Sequence, residues 1–303
     1  LAAGGTPSCA VELWTGSGQP VGAWSTGGSL NTARTALSGA GTSNTSALAF
    51  GGEGAPTTGA TESYNGSAWT EVNDLNSAKQ LAAGTGTQTS ALSIGGLIGG
   101  SKSALTESWN GTSWTEVNDL NTARRDLGSA GADITAALAF SGNLSPGSTN
   151  ITESWNGTSW TEVNDLNTAR MLPGSTGTQP SALCFGGFVP DFTSVYALTE
   201  SWNGTSWTEV GDLNSARAGA AGAGISTAAL AFGGGDTPNK AVTEEWNGSS
   251  WAEVNDLNTA RSGLAGNGTT TSALAYGGNV PPPSAATEEW NNPSNVIKVI
   301  TTS

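Results

Sequence analysis

Trp109-Asn110-Gly111-Thr112-Ser113-Trp114-Thr115-Glu116-Val117-Asn118-Asp119-Leu120-Asn121-Thr122-Ala123-Arg124 is a phrase that the chain repeats almost word for word. The same words start at Tyr64, Trp155, Trp202 and Trp246, and degraded versions start at Trp14 and Trp290. A fixed period settles the architecture before any local assignment, because each unit must bury its apolar face against the next. The second Trp of the phrase falls at Trp24, Trp69, Trp114, Trp160, Trp207 and Trp251, spaced 44 to 47 residues apart. Ten residues after each stands a base: Arg34, Lys79, Arg124, Arg170, Arg217 and Arg261. Some 16 or 17 residues later an apolar run ends in a Gly pair, as in Ala47-Leu48-Ala49-Phe50-Gly51-Gly52.

Each unit reads as four short strands. The first starts at the base, as in Arg217-Ala218-Gly219-Ala220-Ala221-Gly222, and the second is the Leu-Ala-Phe run with its period of two. The third ends in Thr-Glu-Ser-Trp, and the fourth is Ser-Trp-Thr-Glu-Val. No stretch keeps a 3.6-residue period, so helices are expected to be scarce. Asn-Gly between the third and fourth strands predicts a two-residue type I′ turn, since both residues tolerate positive φ. That turn sets Trp109 opposite Thr112 and Glu107 opposite Trp114. Trp109, Glu107, Trp114 and Glu116 then share one bulky face, and the small side chains take the other.

Composition narrows the function. The 303 residues carry 24 acids against 10 bases, a formal charge of −14, so a nucleic-acid partner or an anionic membrane surface is disfavoured. There is no histidine, which removes the commonest general base and transition-metal ligand. Cys184 replaces an Ala of the repeat and reads as a small core residue, and with Cys9 it makes too few cysteines for a disulfide framework. No apolar run approaches the roughly 18 residues of a spanning helix, so membrane insertion is not expected.

Four strands per unit, a Gly pair after the second, two spaced aromatics and a base opening the next unit resemble kelch repeats. The resemblance implies a β-propeller in which each repeat is one radial blade. Phe140-Ser141-Gly142 departs from it by lacking the first Gly of the pair, and the units are shorter than the roughly 50 residues usual for kelch. The expected fold is all-β, one seven-bladed kelch-like β-propeller of four-stranded antiparallel blades over residues 1–303, with six blades as the runner-up. Residues 1–33 make a partial blade in this reading, from Leu1-Ala2-Ala3-Gly4-Gly5, Val11-Glu12-Leu13-Trp14 and Val21-Gly22-Ala23-Trp24. Full blades follow at 34–78, 79–123, 124–169, 170–216, 217–260 and 261–303. Asn295 to Ile300 is placed as an outer fourth strand or, alternatively, as a strand that closes the ring in the first blade.

The repeat constrains the candidate chemistry. A Trp pair suits a sugar-stacking platform or the filling between blades. Since every Trp sits on the repeat frame, filling is the preferred reading. The recurring Asp lacks an Asp-x-Asp-x-Asp-Gly spacing, so turn formation and acid–base pairing are preferred to Ca²⁺ binding. Paired carboxylates for glycoside hydrolysis need one asymmetric pair, whereas the repeat offers rings of equivalents. The Asn-Gly-Ser/Thr sequons at Asn65, Asn110, Asn156, Asn203 and Asn247 are explained by turn chemistry. A galactose-oxidase-like copper site would, by family resemblance, need His ligands that the chain lacks. No catalytic set, metal or cofactor is expected, and the chain reads as a non-enzyme.

The units differ chiefly between the Gly pair and the next Trp, in loops expected on one face of the ring. The longest, Phe188 to Tyr196, carries three aromatics outside the frame, and Phe188, Asp191, Phe192 and Tyr196 are the candidate ligand-binding residues. Folding of this loop back onto its own blade is the competing reading. The phrases also resemble kelch-like tail or fibre proteins of marine bacteriophages. That resemblance implies an extracellular or virion-surface adhesion module for a host-surface glycan or protein. The alternative is a structural virion or surface building block whose loops contact neighbouring subunits, including copies of itself in a homo-oligomer.

Overall fold

The computed structural model describes residues 22–54, 56–144, 147–188, 193–235 and 237–292. Among them, regular structure is strand only, arranged as six four-stranded antiparallel sheets and two small two-stranded hairpins. The first blade is Ser38–Ser43, Ser46–Phe50, Thr61–Tyr64 and Trp69–Val72, in that order from axis to rim. The second is Ala83–Thr87, Ser90–Ile94, Thr106–Trp109 and Trp114–Val117. The third, fourth and fifth repeat this order, with innermost strands Gly128–Asp133, Gly174–Thr178 and Ala221–Ile225.

The sixth blade takes Ala265–Gly268, Ser272–Tyr276 and Thr287–Asn291 from its own unit and its outer strand, Ala23–Thr26, from the other end of the chain. Trp24 lies opposite Trp290, as Trp114 lies opposite Trp109. The molecule is therefore a six-bladed β-propeller, and the expectation of seven blades is corrected. Ala23–Thr26 does not help to build a seventh blade; it fills the place left where the phrase breaks after Trp290. The innermost strands of the sixth and first blades pack directly together, and Asn267 Nδ2 donates to Ser43 O at 3.0 Å across that seam. The other segments of the expected partial blade, Leu1–Gly5 and Val11–Trp14, and the closing strand Asn295–Ile300 lie outside the described residues.

The phrase builds the blades somewhat differently from its Asn-Gly signal. Trp109 faces Trp114 and Glu107 faces Glu116, so the loop is Asn110 to Ser113, four residues and not two. Asn110 keeps ordinary backbone geometry; only Gly111 has positive φ, 91°. The Asn110 side chain closes the loop by accepting from Thr112 N and Ser113 N at 2.9 Å. Because the register differs by two residues, the side chains keep their faces. Both Trp stay on the bulky side, their rings 5.4 Å apart.

Across the described residues the Trp are 0–7 % exposed, which leaves no stacking platform for a sugar. They fill the gaps between blades: the second Trp of one blade donates its indole N–H to the third-strand Thr of the blade before it, as in Trp114 to Thr61 (3.1 Å) and Trp207 to Thr152 (3.1 Å). Trp160 is the exception; its Nε1 and the matching Thr106 Oγ1 have no hydrogen bond. Burial of such a ring contributes about 2–3 kcal/mol. Cys184 sits in the same packing, fully buried among Ala182, Trp202 and Trp207, with burial pushing its thiol up to about 12.

Candidate binding face

Each blade's second strand ends, and its innermost strand begins, on one face of the ring. The same face receives the variable loops and the Asn-Asp-Leu-Asn turns, which are hydrogen-bonded to each other: Leu75 N donates to Gly59 O and Leu120 N to Ala104 O, both at 3.0 Å.

The bases of the phrase are buried beneath this face. Arg34, Lys79, Arg124, Arg170, Arg217 and Arg261 are 0–1 % exposed, and each pairs with the third-strand Glu of its own blade: Glu62, Glu107, Glu153, Glu200, Glu244 and Glu288. The second carboxylate oxygen binds the preceding blade, as Glu153 Oε2 accepts from Asn121 N and Nδ2, both at 2.7 Å. Asn121 then donates to Trp160 O at 3.1 Å. Acid–base pairing is thus within a blade, and Asn carries the link between blades. Burial pushes Arg34, Lys79, Arg124, Arg217 and Arg261 below their ordinary values, opposed by the partner Glu. The Asp of the phrase makes a longer link than a tight turn: Asp119 Oδ1 accepts from Thr106 N, 13 residues away, at 3.1 Å.

The innermost strands begin four residues after each base, later than expected, because the residue two past each base is left-handed. Ala36, Leu81, Asp126, Leu172, Gly219 and Gly263 have φ between 52° and 61°. Their peptide groups close a ring around the axis. Leu81 N donates to Ala36 O, Asp126 N to Leu81 O, Leu172 N to Asp126 O, Gly219 N to Leu172 O, Gly263 N to Gly219 O and Ala36 N to Gly263 O, all at 2.8–3.0 Å. Four of the six are not glycine, a conformation costing on the order of 1–3 kcal/mol each, held here by the closed ring. Ser141, at the Gly-pair position that lacks glycine, is also left-handed with φ 64°, and its Oγ donates to Arg170 O at 2.9 Å. Below the ring the innermost strands surround an axial cavity of ≈ 200 Å³, lined mostly by glycine, alanine, Ser and Thr, with Leu37, Leu127, Leu264, Pro173 and Asn267 also in its wall. That is smaller than ordinary ligand pockets of about 300 Å³ and more.

The sequence-derived site residues are only partly brought together. Phe188 bridges Met171 and Val195 and is half-buried. Tyr196 N donates to Gly187 O at 2.7 Å, the place taken by Ser103 over Gly96 in the second blade, and the Arg170 guanidinium lies 5.8 Å from the Tyr196 ring centre. Both ends of the loop are thereby folded onto their own blade. Asp191 and Phe192 lie outside the described residues.

A second group escaped the sequence reading. In the second blade Leu97–Ile98 and Ser101–Lys102 form a hairpin around Gly99-Gly100, whose φ of 55° and 84° make the two-residue turn expected elsewhere. Beside it, in the third blade, Arg125 and Asp126 follow the frame base. Arg125 Nε lies 3.4 Å from Asp126 Oδ2, an ion pair without hydrogen-bond geometry, and the Asp126 Oδ1 is buried with no partner. Burial pushes the Asp126 carboxyl up to about 6 against the pull of Arg125 and Lys102. The signal was present: the two positions after the base carry charge in this unit alone among the six.

Among the described residues no cluster of three or more His, Cys, Asp or Glu is placed to hold a metal, and no helix is long and apolar enough to cross a membrane. No protein-family model matches the chain, and no curated protein matches it.

Proposed function

We propose that the chain is a non-enzymatic recognition module, an adhesion propeller displayed on a virion or cell surface, whose variable loops bind a host-surface glycan or protein. One observation carries this reading. A frame held by six repeated ion pairs and a closed hydrogen-bonded ring presents non-repeating segments on a single face. Rigid scaffolds with variable loops at one end are the usual arrangement for binding, and propellers commonly serve binding or assembly. The kelch-like repeat and the likeness of the phrase to phage tail or fibre proteins point the same way.

The test is replacement of residues 189–194 by the Gly-Gly turn of the second blade, with Phe188 and Val195 kept. Loss of binding to host cells or a glycan array, with unchanged thermal unfolding, is expected. Unchanged binding would remove this loop from the site. Recovery of the protein from particles as a symmetric assembly with the loop face buried would identify a building block instead.

A further inference from the structure

The formal charge of −14 falls on only part of the surface. In each of the first five blades the outer strand carries an exposed Glu and the turn after it an exposed Asp, as Glu116 and Asp119 do in the second. The face opposite the variable loops is built differently. There each blade turns from its innermost to its second strand, and the first five also present the phrase loop, as at Asn110 to Ser113. None of these turn and loop residues is charged, and one acid, Asp133, flanks them. The residue that leads into the second strand is exposed in every blade: Thr45, Thr89, Thr135, Pro180, Thr227 and Thr271. We propose that two copies of this chain dock through this face, back to back, with their variable loops directed outward.

Self-complementarity argues for a second copy as the partner. A two-fold contact sets one patch against itself, so the patch must be its own complement. The rim and the loop face would set acid against acid. Hydroxyl and amide side chains each hold a donor and an acceptor, so a face made of them meets its own copy without that repulsion. Depletion of charge is also what distinguishes the centre of a protein interface from ordinary surface.

The apolar area points to the same face. Among the described residues Ile225, 55 % exposed, is the one large apolar side chain left exposed, and it ends the fifth innermost strand on this side. Exposed Pro180 stands in the next turn around the axis, and Ser181 Oγ and Ser226 Oγ join the two turns at 2.5 Å. Two further acids lie near, each one residue before a third-strand Trp. Glu289 accepts from Tyr64 Oη at 2.5 Å, and desolvation pushes the half-buried Glu245 above its ordinary value, so neither presents a fully solvated charge to the partner.

This contact is independent of what the loop face binds, and its failure would leave that reading in place. The experiment is sedimentation of the full chain from micromolar to near-millimolar concentration, with amide hydrogen exchange on the same samples. A reversible monomer–dimer equilibrium is expected, with protection growing at residues 225–227 and in the neighbouring turns as concentration rises. Added salt should strengthen the dimer, because it screens the repulsion between two chains of −14 and finds no ion pair to weaken. Ile225→Asp, confirmed as folded by thermal unfolding, should weaken association by about tenfold or more, since it sets like charges against each other. Replacement of residues 189–194 should leave association unchanged. A monomer at every concentration, protection gained on the loop face instead, or unchanged association of a folded Ile225→Asp variant would overturn the proposal. Protection of these turns already complete in the monomer would overturn it too. That result would assign the face to the chain's own ends, which continue from Gly22 and Asn292 on this side of the sixth blade.

Discussion

Arg124 and Arg125 are neighbours in sequence and opposites in the molecule. Arg124 points into the frame, fully buried, and donates to Glu153, Ala139 O and Thr122 O. Arg125 reaches the loop face, partly exposed, with one long ion pair to a carboxyl that burial has pushed up. The first environment occurs six times, each base paired with the third-strand Glu of its own blade; the second occurs once. Repeated ion pairs mark the joints of the propeller, and the unrepeated pair stands on the face that carries the variable loops.

The largest effect is expected from breaking the repeated side of this contrast. Glu153→Ala leaves Arg124 buried without its carboxylate and takes the partner from Asn121, so urea unfolding should show a loss of about 3–5 kcal/mol. Trp160→Ala should cost a similar amount, about 3–5 kcal/mol, as a core truncation between the second and third blades. A loss under about 1 kcal/mol for Trp160→Ala would mean that the indole does not fill the blade junction.

Asp126→Asn sharpens the other side, and its sign is opposite. With the carboxyl raised to about 6, above its value of about 4 in an unfolded chain, the folded protein keeps this proton where the unfolded chain has lost it. The stability it contributes is complete below about pH 4 and falls away as pH rises through about 6. Asparagine, which also tolerates the left-handed backbone, should remove that slope and stabilise the protein at neutral pH by about 1–3 kcal/mol. Unfolding measured from pH 4 to 7 checks it; an unchanged slope would mean that the carboxyl is solvated.

The smallest effect concerns the one frame position filled by lysine. Lys79 Nζ reaches Glu107, Ser93 O and Leu105 O at 3.4–3.5 Å, whereas Arg34 spans the equivalent groups with two nitrogens, at 2.7 Å to Ala60 O and 3.0 Å to Glu62. Lys79→Arg should therefore stabilise by about 1 kcal/mol in the same unfolding measurement.

Much of the fold was legible because the same residues do the same work in every unit. The Trp spacing and the Gly pair report contacts between neighbouring blades, the base reports an ion pair within its own, and six units make the pattern plain. Three features were not legible, each for a physical reason. Blade number depends on whether Ala23–Thr26 completes its own unit or the last one, which ring closure decides and local sequence does not. Asn-Gly suits a two-residue turn, but the Asn110 side chain closes a four-residue loop equally well by accepting two backbone N–H groups. The axial ring places Leu81 and Leu172 in a backbone region that their side chains oppose, so no propensity points to it. The candidate site was less legible still. Aromatic residues drew attention to Phe188 and Tyr196, which fold back, while Lys102 and Arg125 meet only because two blades are adjacent.

The most direct test of the division between frame and face is the replacement of residues 189–194 by the Gly-Gly turn, read by thermal unfolding and by binding to host cells or a glycan array. Loss of binding with unchanged unfolding is the expected result. Unchanged binding, with binding lost instead when the Asn110 to Ser113 loop on the opposite face is altered, would return recognition to the repeated phrase and contradict it.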